Sequence, residues 1–337
     1  MVTESPCSIG EQIESFTELT RRMEQEIGKV IAGQHEAVSQ VLTAILAGGH
    51  VLLEGVPGLG KTALVRALSQ LMDVQFSRIQ FTPDLMPADI LGTNIISEDT
   101  AGRRGFIFQP GPVFANLVLA DEVNRATPKT QSALLEAMQE RTVTAGGATR
   151  TLPEPFFVMA TQNPLEMEGT YPLPEAQLDR FLFKVMVPFP DAEVLLEIAD
   201  RTTGGRSSVA EKVVDGPSVI SLMQLARQIP LAEPVARYAV RLVTATHPDR
   251  TPVAAVRQYA RYGSSPRGLQ ALILAGKVTA LRRGRYNVAF ADIREVALPA
   301  LRHRLVLSFE GEAAGQTADS LINEIMDQVP EYADGGS

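Results

Sequence analysis

The chain has 337 residues, 45% of them hydrophobic and 21% charged, so it can bury a substantial core and is not a mostly disordered polymer. Its formal charge is −8, with a pI near 5.2, the opposite sign from a protein whose main task is gripping duplex nucleic acid. A single cysteine, Cys7, excludes an internal disulfide and a cysteine-based metal centre. The N-terminal MVTESPCSIGEQ has neither the basic start nor the apolar middle of a signal peptide. The longest apolar stretches, such as AVSQVLTAILAGG, are too short and mixed to span a bilayer. Together these features predict a soluble cytoplasmic protein, and the length suggests two domains.

In chain order, the first strong element is Val51-Leu52-Leu53, a short apolar strand, followed at once by EGVPGLGKTALVRALSQLM. Gly55-Val56-Pro57-Gly58-Leu59-Gly60-Lys61-Thr62 has the spacing GxxxxGK[ST]. Glycines let such a loop curl with its backbone N–H groups pointing inward at phosphate oxygens, and the helix N-terminus behind them adds positive potential. Lys61 is placed to reach the β and γ phosphates, and the Thr62 hydroxyl to take a Mg²⁺ position. Leu64, Ala67, Leu68 and Leu71 form one apolar stripe, predicting an amphipathic helix. The plain alternative is a glycine-rich strand-to-helix turn.

Residues 84–112 contain TNIIS and GFIFQPG around a polar turn, EDTAGRR, and read as a β-hairpin. Next, NLVLADEVNR is a buried strand ending in Asp121-Glu122. Asp121 at the strand tip can hold Mg²⁺ through its water shell, and Glu122 can polarise an attacking water. Two exposed acids at a strand end are the alternative. RTVTAGGATRTL, residues 141–152, is a second hairpin with Gly146-Gly147 at its tip. PFFVMATQNP is another buried strand, with the amide of Asn163 just past its carboxyl end, where open α/β sheets bind ligands. Asn-Pro is also a turn signal. YPLPEAQLDRF, residues 171–181, reads as a surface turn entering a helix, with Arg180 as its one cation.

From Asp191 the pattern turns helical in DAEVLLEIADR, SVISLMQLARQI, VARYAVRLVTAT, GLQALILAGKVTALRRG and ADIREVALPALRHRL. A polar stretch at 202–218 reads as a loop. SSPRG puts Arg267 in the first turn of a helix, after Pro266 at its first position. A cation there opposes the helix dipole, which hints at an external anion; a solvated surface arginine is the alternative.

GVPGLGKT, LADEVNR, ATQNP, EAQLDRF and GSSPRG, in this order, resemble the AAA+ ATPases, specifically their MoxR branch, over about residues 12–325. The resemblance implies an α/β domain over 12–190 with a five-stranded parallel sheet in the order 5-1-4-3-2, and a smaller all-helical lid over 191–330. The strands would lie near 51–53, 75–80, 117–120, 156–160 and 182–187. The 84–112 hairpin is similar to the helix-2 insert of the MoxR and chelatase clade, and 141–152 to the pre-sensor-1 hairpin. Ile31, Gly33 and Gln34, in VIAGQ, resemble the segment that closes over adenine. By the same resemblance Asp121 and Glu122 form the Walker B pair, Asn163 is the sensor, and Arg267 is the sensor-2 arginine reaching the γ-phosphate from the lid. Arg180 would be an arginine finger facing a neighbour's γ-phosphate, against the alternative of a local ion pair with Glu175 or Asp179. Arg125 is a second interface candidate. The implied activity is Mg²⁺-dependent ATP hydrolysis by a self-assembled ring, a hexamer, that remodels a protein client, in company with a von Willebrand A-domain partner. A chelatase-type motor subunit, a nucleic-acid motor or initiator and a nucleotide-gated scaffold are the rivals. The acidic balance and the absence of a recognisable helix-turn-helix or zinc motif count against the nucleic-acid reading.

Overall fold

The computed structural model describes residues 8–56, 58–98, 104–163, 169–203 and 209–332. Cys7, Pro57, the 99–103 part of the first hairpin's turn and residues 204–208 of the polar stretch lie outside the described residues. Five parallel strands make the central sheet: β1 (Val51–Glu54), β2 (Phe76–Gln80), β3 (Leu117–Asp121), β4 (Phe157–Gln162) and β5 (Phe183–Met186). Their spatial order is β2-β3-β4-β1-β5, which read from the other edge is the expected 5-1-4-3-2.

Residue alternation explains why this sheet is buried on both faces. Val51, Leu53, Leu117, Leu119, Phe157 and Met159 pack into one apolar cluster, while Leu52, Val118, Ala120, Val158 and Ala160 pack into a second on the opposite side. The parallel register sets Leu52 beside Ala160 and Leu119 beside Met159, so every strand ends at the same edge. Glu54, Gln80, Asp121 and Gln162 terminate their strands there.

The helix Lys61–Leu71 covers the first face, with Leu64, Ala67, Leu68 and Leu71 buried as their spacing predicts. Two helices precede β1. Ile9–Val30 opens on a capping box, in which the Ser8 side chain accepts from the Glu11 N–H while Glu11 accepts from the Ser8 N–H. His35–Leu46 is buried along most of its length. Their apolar residues join a single cluster with those of the helices Gly216–Gln228, Glu233–Ala245, Pro266–Arg282, Phe290–Leu301 and Ala318–Gln328. The C-terminal part is therefore helical, but it also carries a short antiparallel pair, Ala260–Tyr262 with Val306–Leu307, which the all-helical expectation did not include. Among the described residues no helix is long and apolar enough to cross a membrane.

Both hairpins form. Gly92–Glu98 pairs with Arg104–Pro110, and Thr142–Ala145 with Ala148–Thr151 across Gly146 and Gly147, both at positive φ as a two-residue tip requires. They touch each other. The Asn94 amide donates to the Gly146 carbonyl at 3.4 Å, and the Arg150 guanidinium lies 3.6 Å above the Phe108 ring. Ile96 and Phe106, paired across the first hairpin, are 68% and 76% exposed.

Candidate active site

The strand ends and the phosphate-loop helix enclose a cavity of about 280 Å³ lined by Gly58, Leu59, Gly60, Lys61, Thr62, Arg78, Asp121, Glu122, Thr161, Gln162 and Asn163. Two glycines shape the loop by conformation: Gly58 and Gly60 sit at φ 84° and 75°, with open space where a side chain would begin. Gly55 answers a different need. A Cβ there would fall 2.5 Å from the Val187 carbonyl oxygen, so only glycine lets β1 lie this close to the end of β5. Gly60 caps the helix that starts at Lys61, so that helix directs its N-terminal amides into the cavity.

Lys61 is half-buried, and its ammonium donates to the Gly55 carbonyl at 2.5 Å. Burial pulls its pKa below the usual lysine value, while Asp121, Glu122 and Glu54 pull it back up. Glu54 is itself paired with Lys184 on β5 at 2.9 Å. An ammonium, a helix N-terminus and a curled glycine loop on one wall face two carboxylates on the other. This donor set fits a polyphosphate with a divalent cation: Lys61 and the loop amides for the phosphates, Thr62 and Asp121 for the metal.

The two carboxylates are held by side chains from two strands, β2 and β4, and from the turn that follows β3. The Thr161 hydroxyl donates to Asp121 Oδ1 at 2.6 Å and accepts the Glu122 N–H at 2.8 Å. Arg78 donates to Asp121 Oδ2 through Nη2 at 2.6 Å and Nε at 3.2 Å. Glu122 is in the left-handed region, φ 57° and ψ 51°, which turns its carboxylate out of the strand direction. Its Oε2 accepts from Gln80 and from Arg125, both at 2.9 Å. Asn163 is buried at the cavity wall.

Arg78, Gln80 and Thr161 were not anticipated. The available signal was alternation: Arg78 and Gln80 share one face of β2, and the register sets them beside Leu119 and Asp121.

The remaining predicted residues lie elsewhere. Val56 packs against the core, and Ile31 is buried within it. A Cβ on Gly33, at φ 66°, would run into Val194, and the Gln34 amide donates to the Leu59 carbonyl of the phosphate loop at 2.8 Å. Arg180 does not line the cavity; its Nη1 donates to the Leu135 carbonyl at 2.8 Å. Asp179 turns instead to Arg304 and to the Ser265 hydroxyl, at 2.7 and 2.8 Å. Arg267 is also outside the cavity, 3.9 Å from Asp179 and 3.4 Å from the Gln139 side chain. Leu135 and Gln139 are one turn apart on the helix Pro128–Glu140, so Arg180 and Arg267 sit together on one surface.

Comparison with known proteins agrees with this geometry. Residues 50–183 match the model of the ATPase family associated with various cellular activities (AAA), and residues 253–325 match the AAA lid domain. The chain is similar to Chaperone MoxR1 of Mycobacterium tuberculosis, 45% identical over 90% of this chain and 80% of that one. It is also similar to the protein YeaC of Bacillus subtilis, 43% identical over 90% and 92% of the two chains. A crystal structure from Cytophaga hutchinsonii superposes with a TM-score of 0.89 at 41% identity, covering 96% of this chain and 98% of the other. With a family model matched over residues 50–183, a lid model over 253–325 and relatives at 43–45% identity across 90% of its length, the chain belongs to the MoxR branch of the AAA+ ATPases.

Proposed function

We propose that the chain hydrolyses ATP with Mg²⁺ at the contacts between copies of itself in a hexameric ring, and uses the resulting movement to remodel a protein client. Bound ATP and Mg²⁺ supply the scissile phosphoanhydride and the charge that neutralises it. Lys61 and the loop amides hold the phosphates, with the adenine under Ile31, Gly33 and Gln34; Thr62 and Asp121 hold the metal. Glu122 takes the proton of the attacking water, and Asn163 orients that water. Gln80 and Arg125 both hold the Glu122 Oε2 in this structure, which orients the carboxylate.

The observation that carries the ring is a separation. Lys61, Asp121 and Glu122 line one cavity, whereas Arg180 and Arg267 lie together outside it. A planar guanidinium stabilises charge spread over a transferring phosphoryl group, so two such groups turned away from their own cavity suit a neighbour's. In this reading the α/β domain spans 12–190, the lid 191–330, and the exposed apolar hairpin of Ile96 and Phe106 faces the client. The protein acts in the cytoplasm.

Mixing tests the reading. Lys61→Ala removes the pocket and keeps the finger; Arg180→Ala does the reverse. Each alone loses hydrolysis, by roughly 10³-fold or more for the arginine. Co-assembled, they form some contacts where an intact pocket meets an intact Arg180, and activity returns in part. No recovery at any ratio, with mixed assembly verified by light scattering, would leave Arg180 a residue of its own subunit.

A further inference from the structure

Arg78 takes the Asp121 oxygen that Thr161 leaves open. Both of its hydrogen bonds to that carboxylate end on Oδ2, while Oδ1 is taken by Thr161. A third bond, Nη2 to the Gln80 side-chain oxygen at 2.6 Å, fixes the guanidinium in this position. Gln80 is in turn anchored through its amide nitrogen on Glu122. The strand pairing β2–β3 puts Arg78 and Asp121 at the same edge of the sheet, so the contact is built into the fold.

The charges give this arrangement a purpose. The cavity is lined by two cations, Lys61 and Arg78, and two anions, Asp121 and Glu122. Arg78 therefore balances Asp121 whenever no divalent ion does so. We infer that Arg78 is a stand-in for the metal's charge: it neutralises Asp121 in the metal-free site and gives the carboxylate up when a divalent cation is bound. Arg78 is 47% exposed at its side chain and Asp121 16%, so the guanidinium has solvent to swing into. The inference rests on the cavity being the ATP site, and it makes Arg78 a positioning residue.

The signature is a change of opposite sign in two conditions. Without Arg78 the cavity gains one negative charge. Metal-free ATP, itself strongly anionic, is then repelled, whereas a divalent ion meets an uncovered Asp121. Arg78→Met and Arg78→Gln, each checked for a wild-type melting curve, are titrated with a fluorescent ATP analogue in EDTA. In parallel, Mn²⁺ is titrated at saturating analogue, with free Mn²⁺ followed by electron paramagnetic resonance. The expected result is nucleotide affinity in EDTA weakened by roughly fivefold and Mn²⁺ affinity tightened by about the same factor, the size of a partly exposed ion pair. Losses in both titrations would make Arg78 a phosphate ligand, and no change in either would make it an idle surface pair; both overturn the inference. A wild-type chain that binds no analogue in either condition would overturn the ATP reading of the cavity, and the inference with it.

Discussion

Arg304 ties the lid to the segment that carries Arg180, and its removal has a size that can be worked out. Its side chain is 2% exposed. Nε donates to Asp179 Oδ1 at 2.7 Å, and the two terminal nitrogens donate to the carbonyls of Asp179, Phe181, Leu182 and Ala300. Burial pulls the guanidinium's pKa below the ordinary arginine value, with the Asp179 hydrogen bond opposing it. Arg304→Met keeps the bulk and removes all of these donors. Breaking a buried pair by deleting one partner costs about 3–5 kcal/mol, and Asp179 keeps some solvent and the Ser265 hydroxyl, so about 3 kcal/mol applies. An unfolding entropy of about 2.1 cal/mol/K per residue over this chain length turns 3 kcal/mol into a melting-point drop of about 4 °C. Asp179→Asn, which keeps an acceptor, costs less, and the double variant is less destabilised than the sum by about 1–2 kcal/mol. Scanning calorimetry on the four proteins measures this. A melting point within about 1 °C of wild type for Arg304→Met, or strict additivity, would refute the clamp.

Lys61→Ala is expected to abolish nucleotide binding, whereas Glu122→Gln binds normally and stops turnover, because Lys61 meets phosphate and Glu122 acts on water; equal affinities in a filter-binding assay contradict the assignment. His50 is buried, accepts the Val158 N–H at Nδ1 and faces the Met138 carbonyl with Nε2, and burial pushes its pKa down to about 4. The unfolded chain protonates it near 6.5, so its stabilisation is complete above that pH and is lost as pH falls toward 4, by up to about 1.4 kcal/mol per unit. The fall in melting point between pH 7.5 and 4.5 should be shallower in His50→Gln, and parallel curves would count against it. Gly55→Ala sets a Cβ against the fixed Val187 backbone and should lower the urea midpoint more than Gly58→Ala, which meets open space and pays about 1–2 kcal/mol for its positive φ; the reverse order would remove the close-approach argument.

What the sequence by itself determined was local. The GxxxxGK[ST] spacing, the apolar strand ending in Asp121-Glu122, the Gly146-Gly147 tip and the helix stripe of Leu64, Ala67, Leu68 and Leu71 all appear where their short-range patterns put them. Each depends on backbone freedom or side-chain period over a few residues, which composition and spacing carry directly. The helix Ala318–Gln328, unanticipated, had its own local mark in the Thr317–Ser320 cap. Tertiary structure decided the partnerships. Arg78 meets Asp121 because β2 and β3 are neighbours in register, and Thr161 reaches both acids because β4 lies on the other side of β3. Arg304 finds Asp179 from 125 positions away. Arg180 and Arg267 come to one surface only because each reaches the helix Pro128–Glu140, at Leu135 and at Gln139. A guanidinium's partner is set by which strands and helices the chain folds alongside it, and no local period encodes that order.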